Sequence, residues 1–199
     1  MIKIKEMTVV VNNWFPSSIY IAESIVSSKY NDLLKQKSLE VEKISENGAS
    51  NWKCNTYNTL GTFDLKEDPL FSDLLKEIEF HVKKFTEMHG SDYQYTCKDS
   101  WLNLNYKNSY QEYHCHSNST FSAVYYISTP PKSGKIHFEN PCEPDMLPIK
   151  GIETPTELSF RTCHYDPEER MLLIFRSYMR HMVEMCENDS PRITVGLNF

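Results

Sequence analysis

The sequence predicts a mainly β fold with flanking α-helices, of the sandwich or jelly-roll type. Its second half consists of short apolar runs that are separated by Pro or Gly, as in all-β domains. Its first half instead holds two stretches in which apolar residues recur at helical spacing. The chain has 199 residues, of which 40% are hydrophobic and 13% aromatic, enough for one buried core. We therefore expect a single domain over residues 1–199, with helical support over 17–90 and a jelly-roll core over 95–199.

The N-terminal region predicts one strand and one helix. Residues 1–11 alternate and then become continuously apolar, which indicates a strand that ends near Asn12. The Pro-Ser-Ser sequence at residues 16–18 interrupts this pattern. Apolar side chains then recur among Lys and Glu, so we expect an amphipathic helix from about Ser28 to Ile44, followed by a loop over residues 45–50.

The second helix has recognisable start and stop signals. Asp68 can cap its N-terminus, Pro69 fits the first helical position, and Gly90 ends it. Two helices packed on one face of a sheet would bury that face. Between these signals the apolar residues recur three or four positions apart, at Leu70, Phe71, Leu74, Leu75, Ile78, Val82 and Phe85.

The rest of the chain predicts a series of short strands and one long excursion. The excursion runs from Pro141 to Pro167, contains Pro144, Pro148 and Pro155, and is either a lid over the site or a surface feature. The predicted strands cover residues 101–106, the His114 region, and residues 121–127, 135–138, 171–176, 181–185 and 192–199.

The net charge and the cysteines indicate which partners and which cellular compartment to expect. The net charge of −6 and the pI near 5.7 argue against nucleic-acid or anionic-membrane partners. The six cysteines are scattered without a C-x-x-C pair, which favours free thiols in a reducing compartment. No apolar run is long enough to cross a bilayer, and the first residues do not have the shape of a signal peptide. We expect a cytoplasmic protein.

The stretch most informative about function is His114-Cys115-His116, which is followed much later by His181. If His114 and His116 lie on a strand, the period of two directs both imidazoles to one face and Cys115 to the other. His181, on a neighbouring predicted strand, could then complete a mononuclear metal site. Pairs of His also occur as hydrogen-bonded polar residues near the mouth of a barrel, so the surrounding motifs decide between the two.

Those motifs resemble the iron(II)- and 2-oxoglutarate-dependent dioxygenases. More narrowly, the chain is similar to the prolyl-hydroxylase-like branch and to the 2OG-Fe(II) oxygenase family of marine bacteria and their phages. Weaker similarity extends through Trp14-Phe15-Pro16 and Asn51-Trp52, so it covers the whole chain. The resemblance rests on Trp101-x-Asn103, His114-x-His116, Ser122-x-Val124-Tyr125-Tyr126, Ser133-Gly134-x-Ile136-x-Phe138-x-Asn140-Pro141, Ile174-Phe175-x-Ser177-x-x-x-His181-x-Val183 and Arg192-Ile193.

The resemblance implies a double-stranded β-helix that holds Fe(II) through two His and usually one Asp, and leaves three coordination positions for 2-oxoglutarate and O₂. On this basis His114 and His181 are iron ligands. Arg192 pairs with the far carboxylate of 2-oxoglutarate, a role that suits its planar fork.

Further positions follow from the same resemblance. Tyr126 corresponds to a tyrosine that helps to hold the far carboxylate, and Asn103 and Asn105, on one strand face, could meet co-substrate or substrate. Tyr125 and Tyr126 point to opposite faces, so only one of them can line the site. Arg176 or Arg180 could replace Arg192 if the strand register differs.

The sequence departs from the family pattern at one ligand. A typical member has H-x-D, whereas this chain places His116 where the carboxylate is expected. Either the iron is held by three His, which we favour, or the pair is His116 and Asn118 with His114 behind it. The second arrangement keeps the chemistry but shifts the register by two residues.

The implied activity is oxidative decarboxylation of 2-oxoglutarate to succinate and CO₂, coupled to hydroxylation of a C–H bond. The substrate is a small molecule or a peptide, and a prolyl side chain is suggested by analogy alone. Two other functions stay open. The missing carboxylate would fit a non-catalytic, cupin-like binding protein with a degenerate site, and three His would also fit a dioxygenase that does not use 2-oxoglutarate.

Overall fold

The structure, a computed structural model, describes residues 10–48, 53–54, 56–142 and 149–199. Most of the predicted first strand, the Asn51-Trp52 pair, Pro144 and Pro148 lie outside these ranges. The described end of the predicted first strand, at residues 10 and 11, is not a strand. No helix in the described ranges combines the length and the apolar composition that crossing a bilayer requires.

Two helices and ten strands make up the described chain. The helices are α1, Ser28–Ile44, and α2, Pro69–Met88. The strands are β1 Ile19–Ala22, β2 Tyr57–Asn58, β3 Asp99–Asn105, β4 Gln111–His114, β5 Phe121–Ser128, β6 Ile136–Glu139, β7 Thr162–Tyr165, β8 Leu172–Arg176, β9 His181–Val183 and β10 Arg192–Asn198.

The strands form two antiparallel sheets with a cavity between them. The larger has the order β1-β8-β5-β10-β3-β2, and the smaller has the order β4-β9-β6-β7. Consecutive strands from β3 to β10 therefore cross repeatedly between the sheets, which is the topology of a jelly roll. The predicted fold class is confirmed.

Both helices begin and end where the sequence predicts. The Ser27 side chain accepts a hydrogen bond from the Tyr30 amide at the start of α1. Asp68 caps α2 in the same way, Pro69 is its first residue, and Gly90 follows its end with a φ of 77°. The helices cover the outer face of the larger sheet, and together with it they form the main hydrophobic core.

Successive side chains of β10 point alternately to this core and to a cavity on the other face of the sheet. Ile193, Val195 and Leu197 belong to the core shared with the helices. Arg192 and Thr194, of the opposite phase, line a cavity between the two sheets. A one-residue step in the sequence thus decides whether a side chain stabilises the fold or faces the site.

Three strands were not predicted, and the strand expected around His114 and His116 is shorter than predicted. β1 and β2 are short additions at the edges of the larger sheet, and β7 is the four-residue edge of the smaller sheet within the Pro-rich excursion. β4 ends at His114, so the expectation that His114 and His116 share a strand is wrong. The chain leaves the ladder there because the His116 amide donates to the Ser177 carbonyl at 2.9 Å instead.

Candidate metal centre

Three imidazoles meet at one end of the cavity between the sheets. His114, His116 and His181 each offer one nitrogen, and these nitrogens lie within 4.8 Å of one another. The ring centroids of His114 and His181 are 4.2 Å apart, and that of His116 is 5.1 and 5.2 Å from them. This arrangement could hold one metal ion. Among the described residues it is the one group of three or more His, Cys, Asp or Glu side chains placed in this way.

Different elements bring the three rings together. His114 ends β4 and pairs directly with His181, the first residue of β9. Cross-strand neighbours of this kind have side chains close enough to share a ligand. His116 comes from the turn after β4, which the main-chain bond to Ser177 holds against the barrel.

In all three rings Nδ1 is already bonded within the protein. His114 Nδ1 lies 2.8 Å from the Glu112 carbonyl, and His181 Nδ1 lies 2.9 Å from the Met179 carbonyl. A carbonyl only accepts, so both rings carry hydrogen on Nδ1 and leave the Nε2 lone pair available. His116 Nδ1 lies 2.5 Å from Asn198 Oδ1. Bonds of this type orient histidine ligands in known metal sites, so the donor set fits a metal.

Burial keeps these rings uncharged. It lowers the pKa of His114 and of His116, and it lowers that of His181 to about 3, where repulsion from a protonated His114 adds to the effect. His181 is 5% exposed and packs against the rings of Phe138 and Phe175, which also contact each other. Neutral imidazole is the form that binds a metal, so the site is ready for a cation near neutral pH.

The opposite end of the cavity holds a buried cation. Arg192 is 2% exposed, and its Nη1 donates to the carbonyls of Ser133 and Gly134 at 2.6 and 3.0 Å. None of the ion pairs between described residues involves its guanidinium. A buried guanidinium stays charged and is costly without a counter-charge. The end of the cavity around Arg192 therefore fits an anion.

The turn that supplies these carbonyls depends on glycine. Gly134 has a φ of 83°, and a Cβ atom there would lie 2.3 Å from the Glu184 carbonyl oxygen. Gly is therefore required at this position. The Ser133-Gly134 pair seen in the sequence thus shapes the anchor for Arg192.

Tyr126 lies beside Arg192 and is 3% exposed. Burial raises the pKa of Tyr126 to about 12, and the positive charge of Arg192 partly opposes this, so its hydroxyl is a neutral donor. No described residue forms a hydrogen bond with that hydroxyl. Tyr125 faces the other way, and its hydroxyl donates to Asn31 in the helical core, as strand alternation predicts.

Asn103 and Asn105 also line the cavity, where they pair with Thr194 and Arg192 of β10. Both side chains are partly engaged. Asn103 accepts from the Asn58 amide group at 2.7 Å, and Asn105 donates to the Thr56 hydroxyl at 3.0 Å. They are held in fixed positions at the cavity wall and present fewer free groups than the sequence suggests.

The alternative residues lie elsewhere. Asn118 is exposed and does not line the cavity, and its carbonyl accepts from Lys98. Arg176 stacks over the rings of Phe121 and Tyr178, and Arg180 pairs with Glu139 at 3.0 Å on the exposed side of the smaller sheet. Only Arg192 of the three arginines lines the cavity. None of the described residues between Pro141 and Pro167 lines it either.

Sequence reasoning missed several lining residues. Thr194 and Gly196 follow Arg192 on the same face, and Gly196 makes room for Trp101, since a Cβ there would lie 2.6 Å from the indole ring. Counting in steps of two from Arg192 would have found both. Gln111 at the start of β4 lines the cavity as well, and no signal in the sequence marks it.

Comparisons with known proteins agree with this geometry. A family model described as "Putative 2OG-Fe(II) oxygenase" matches residues 99–198, which run from β3 to β10. No curated protein matches the sequence. Among solved structures, the chain is similar to a prolyl-4-hydroxylase from Pseudomonas putida, with 11% identity, 92% of each chain covered and a TM-score of 0.65.

Two further solved structures are similar. The viral collagen prolyl hydroxylase vCPH from Paramecium Bursaria Chlorella virus-1, as its 2OG complex, has 13% identity and a TM-score of 0.58, covering 90% of this chain and 94% of its own. HygX from Streptomyces hygroscopicus, with nickel and 2-oxoglutarate bound, has 10% identity and a TM-score of 0.64, covering 91% and 82%. At such identities these likenesses show the fold.

Proposed function

Because the chain belongs to the family described as "Putative 2OG-Fe(II) oxygenase", and is thus a 2-oxoglutarate-dependent oxygenase that uses iron, we propose that it hydroxylates a C–H bond of an unidentified substrate. The family resemblance inferred from the sequence motifs is confirmed by the family model. In our proposal His114, His116 and His181 hold the iron. Arg192 and Tyr126 hold the far carboxylate of 2-oxoglutarate, with Asn103 and Asn105 beside it.

The observation that carries this proposal is how the nitrogens of the three histidine rings are bonded and placed. Each ring has its Nδ1 within hydrogen-bond distance of a protein oxygen, and the ring nitrogens that could bind a metal lie within 4.8 Å of one another. A cluster of imidazoles that served only for packing would not need these nitrogens to lie so close together. Pre-oriented neutral donors are what a divalent metal requires.

In this proposal the two ends of the cavity have different roles, since one binds a carboxylate and the other binds the metal. The guanidinium of Arg192 and the hydroxyl of Tyr126 can both donate to one carboxylate, and a charge-assisted pair of this kind is among the stronger hydrogen bonds. Burial behind the two sheets excludes water and strengthens these interactions. At the other end of the cavity, the three histidines would hold the metal to which the same co-substrate would bind.

Bound iron and 2-oxoglutarate supply the oxidation, in which activation of O₂ is coupled to decarboxylation of the co-substrate to succinate and CO₂. The three-His donor set changes the charge of this site. Neutral ligands leave Fe(II) at +2, so dianionic 2-oxoglutarate brings the metal and co-substrate to neutrality, whereas a carboxylate ligand would leave −1. Neutrality favours binding of the co-substrate in a cavity of low dielectric constant.

For the substrate, we propose a small molecule or a peptide. Two of the similar structures are described as prolyl hydroxylases, which supports a prolyl side chain of a peptide as the first substrate to test. At 11% and 13% identity the similarity concerns the fold, so the substrate has to be identified by activity assays.

The proposal is tested by anaerobic titration of the protein with Fe(II), with and without 2-oxoglutarate. We expect a visible metal-to-ligand charge-transfer band that requires protein, Fe(II) and 2-oxoglutarate together. Iron binding without that band on addition of 2-oxoglutarate would instead support a three-His dioxygenase that does not use it. Absence of iron binding would overturn the proposal and favour a non-catalytic jelly-roll protein.

A further inference from the structure

We propose that Asn198 is a positioning residue for His116: its side-chain oxygen selects the ring tautomer that leaves Nε2 free for the metal. This inference rests on the proposed iron site and extends it to a residue outside the cavity. His116 stands where a carboxylate is usual, and a carboxylate binds a metal without any choice of tautomer. A histidine at this position needs an additional group to make that choice.

His116 differs from the other two histidines in the group that holds it. His114 and His181 are bonded to main-chain carbonyls, which accept only and therefore permit one tautomer. The partner of His116 is a side-chain amide, whose two ends have opposite hydrogen-bonding properties. An amide turned the other way would donate to Nδ1, move the ring hydrogen to Nε2 and block coordination.

Two buried serines determine which way the amide faces. Ser122 Oγ lies 3.0 Å from Asn198 Oδ1, 2.8 Å from Ser177 Oγ and 3.0 Å from His116 Nδ1. Ser122 has one hydroxyl hydrogen, so when it donates to Asn198 it accepts from Ser177. The hydrogen bonds then run from Ser177 to Ser122 to Asn198 Oδ1, which also accepts from His116 Nδ1 at 2.5 Å.

The reversed arrangement is less favourable. If the amide group of Asn198 donated to Ser122 and His116, Ser122 could donate to Ser177, and the Ser177 hydroxyl hydrogen would then have no acceptor among the described residues. Ser122 could instead donate to His116 Nδ1, but the single lone pair of that nitrogen would already accept from the Asn198 amide. Ser177 is 1% exposed, so an unmade hydrogen bond there is costly. The serine pair therefore favours the amide orientation that frees His116 Nε2.

The backbone fixes Asn198 in this position. It is the last residue of β10 and pairs with Ser122 on one side and with Asp99 on the other. Its carbonyl accepts from the Lys98 amide at 2.8 Å. Asn198, Ser122 and Ser177 do not line the cavity, so they act on the metal site through His116 alone.

The first readout is the tautomer of His116 in the metal-free protein, from long-range ¹H–¹⁵N correlation spectra. We expect hydrogen on Nδ1 in the wild type. In Asn198→Ala the tautomer with hydrogen on Nε2, which imidazole prefers in water, should become the major form. Asn198→Leu, which keeps the side-chain volume, serves if the alanine variant does not fold.

The second readout is Co(II) affinity from the visible spectrum of the bound ion. We expect Asn198→Ala to weaken binding roughly 10–100-fold, as for other residues that orient a metal-binding histidine, and Asn198→Asp to retain wild-type affinity. In the His116→Asp background Asn198→Ala should have little effect, because no imidazole tautomer remains to be chosen. Asn188→Ala, which loses comparable bonds to Pro131 and Ser190 far from the site, is the control.

The inference is overturned if Asn198→Ala leaves the His116 tautomer and Co(II) affinity at wild-type values. It is equally overturned if Asn198→Ala weakens binding as much in the His116→Asp background as in the wild type. Failure of the proposed function would give a different result. The wild-type protein itself would then bind no metal, or would show no charge-transfer band with 2-oxoglutarate.

Discussion

The two ends of the cavity are built in opposite ways. At the histidine end, three uncharged rings come from β4, the turn after it and β9, and each has one nitrogen bonded to the protein and one free. At the arginine end, one permanent cation comes from β10 and is held by two main-chain carbonyls. The histidine end can therefore bind a cation, and the arginine end can bind an anion.

This difference indicates how the two ends of the cavity could bind different parts of one co-substrate. A divalent metal satisfies the histidine end, and a carboxylate satisfies the arginine end, so a metal-bound dicarboxylate completes both. In the proposed arrangement, the carboxylate of the co-substrate would offset the cost of burying the Arg192 charge. The two ends should therefore respond differently to substitution, and the following variants separate them.

Loss of a ligand at the histidine end should have the largest effect. We expect His181→Ala to abolish Fe(II) binding, because the three-ligand set loses its most buried member. Removal of the ring that packs against Phe138 and Phe175 should also lower the free energy of unfolding by about 1–3 kcal/mol, and the protein should stay folded. Anaerobic Fe(II) titration and circular dichroism measure the two effects.

The matched control for that variant is His137→Ala. His137 lies on β6 and pairs with Glu184 at 2.6 Å, outside the cavity lining. Its removal should leave Fe(II) affinity unchanged. Wild-type affinity in His181→Ala would mean that the third ligand has been assigned wrongly.

Substitution at the arginine end should affect the co-substrate and spare the metal. We expect Arg192→Leu to weaken 2-oxoglutarate binding by about 2–5 kcal/mol, since one partner of a buried charge-assisted pair is lost. Fe(II) affinity measured without 2-oxoglutarate should stay close to wild type. Arg180→Leu, which removes an exposed ion pair with Glu139, is the control. An unchanged KM for 2-oxoglutarate in Arg192→Leu, with a large rise in Arg176→Leu or Arg180→Leu, would move the carboxylate partner to the β8–β9 region.

The unusual ligand can be tested by restoring the usual one. We expect His116→Asp to preserve or strengthen Fe(II) binding, because a carboxylate adds charge-assisted coordination, and His116→Ala to weaken it. Asn118→Ala should have little effect, since Asn118 is exposed and outside the cavity lining. If Asn118→Ala removes iron while His114→Ala leaves it bound, the ligand pair is His116 and Asn118.

The smallest effect concerns the metal-free protein in acid. The pKa of His181 falls from 6.5 to about 3 on folding, so between these values the unfolded chain binds more protons than the folded one. Unfolding free energy should therefore rise with pH in this window and be lost as pH falls, by up to about 1.4 kcal/mol per pH unit for this group. His114 and His116 act in the same direction because their pKa values are also lowered.

Denaturant unfolding of the metal-free protein between pH 7 and pH 5 measures this slope. His181→Gln, which cannot take up the proton, should show a shallower slope than the wild type. Equal slopes would show that His181 does not titrate as its burial implies. The same low pKa values should let Fe(II) binding persist below pH 6.5, where exposed histidines would already be protonated.

The sequence by itself determined the elements whose signals are local. Asp68, Pro69 and Gly90 set the limits of α2, because caps and helix breakers act within a few residues. Alternation predicted that Tyr125 and Tyr126 face opposite ways, as they do, since side-chain direction in a strand follows from position alone. Arg192 and Tyr126 were assigned to the site by the family resemblance, and both line the cavity. The spacing of His114 and His116, together with the family resemblance, selected the three histidines that the structure brings together.

The tertiary structure decided how those histidines meet. His116 was expected on the strand of His114, but it lies in the following turn, and a main-chain bond to Ser177, 61 positions later in the chain, brings it to the site. The acceptor of its ring hydrogen, Asn198 Oδ1, is 82 positions away. Contacts between residues so far apart in the chain leave no periodic trace in either segment. Only the packing of the two sheets selects them, and with them the direction of the third lone pair.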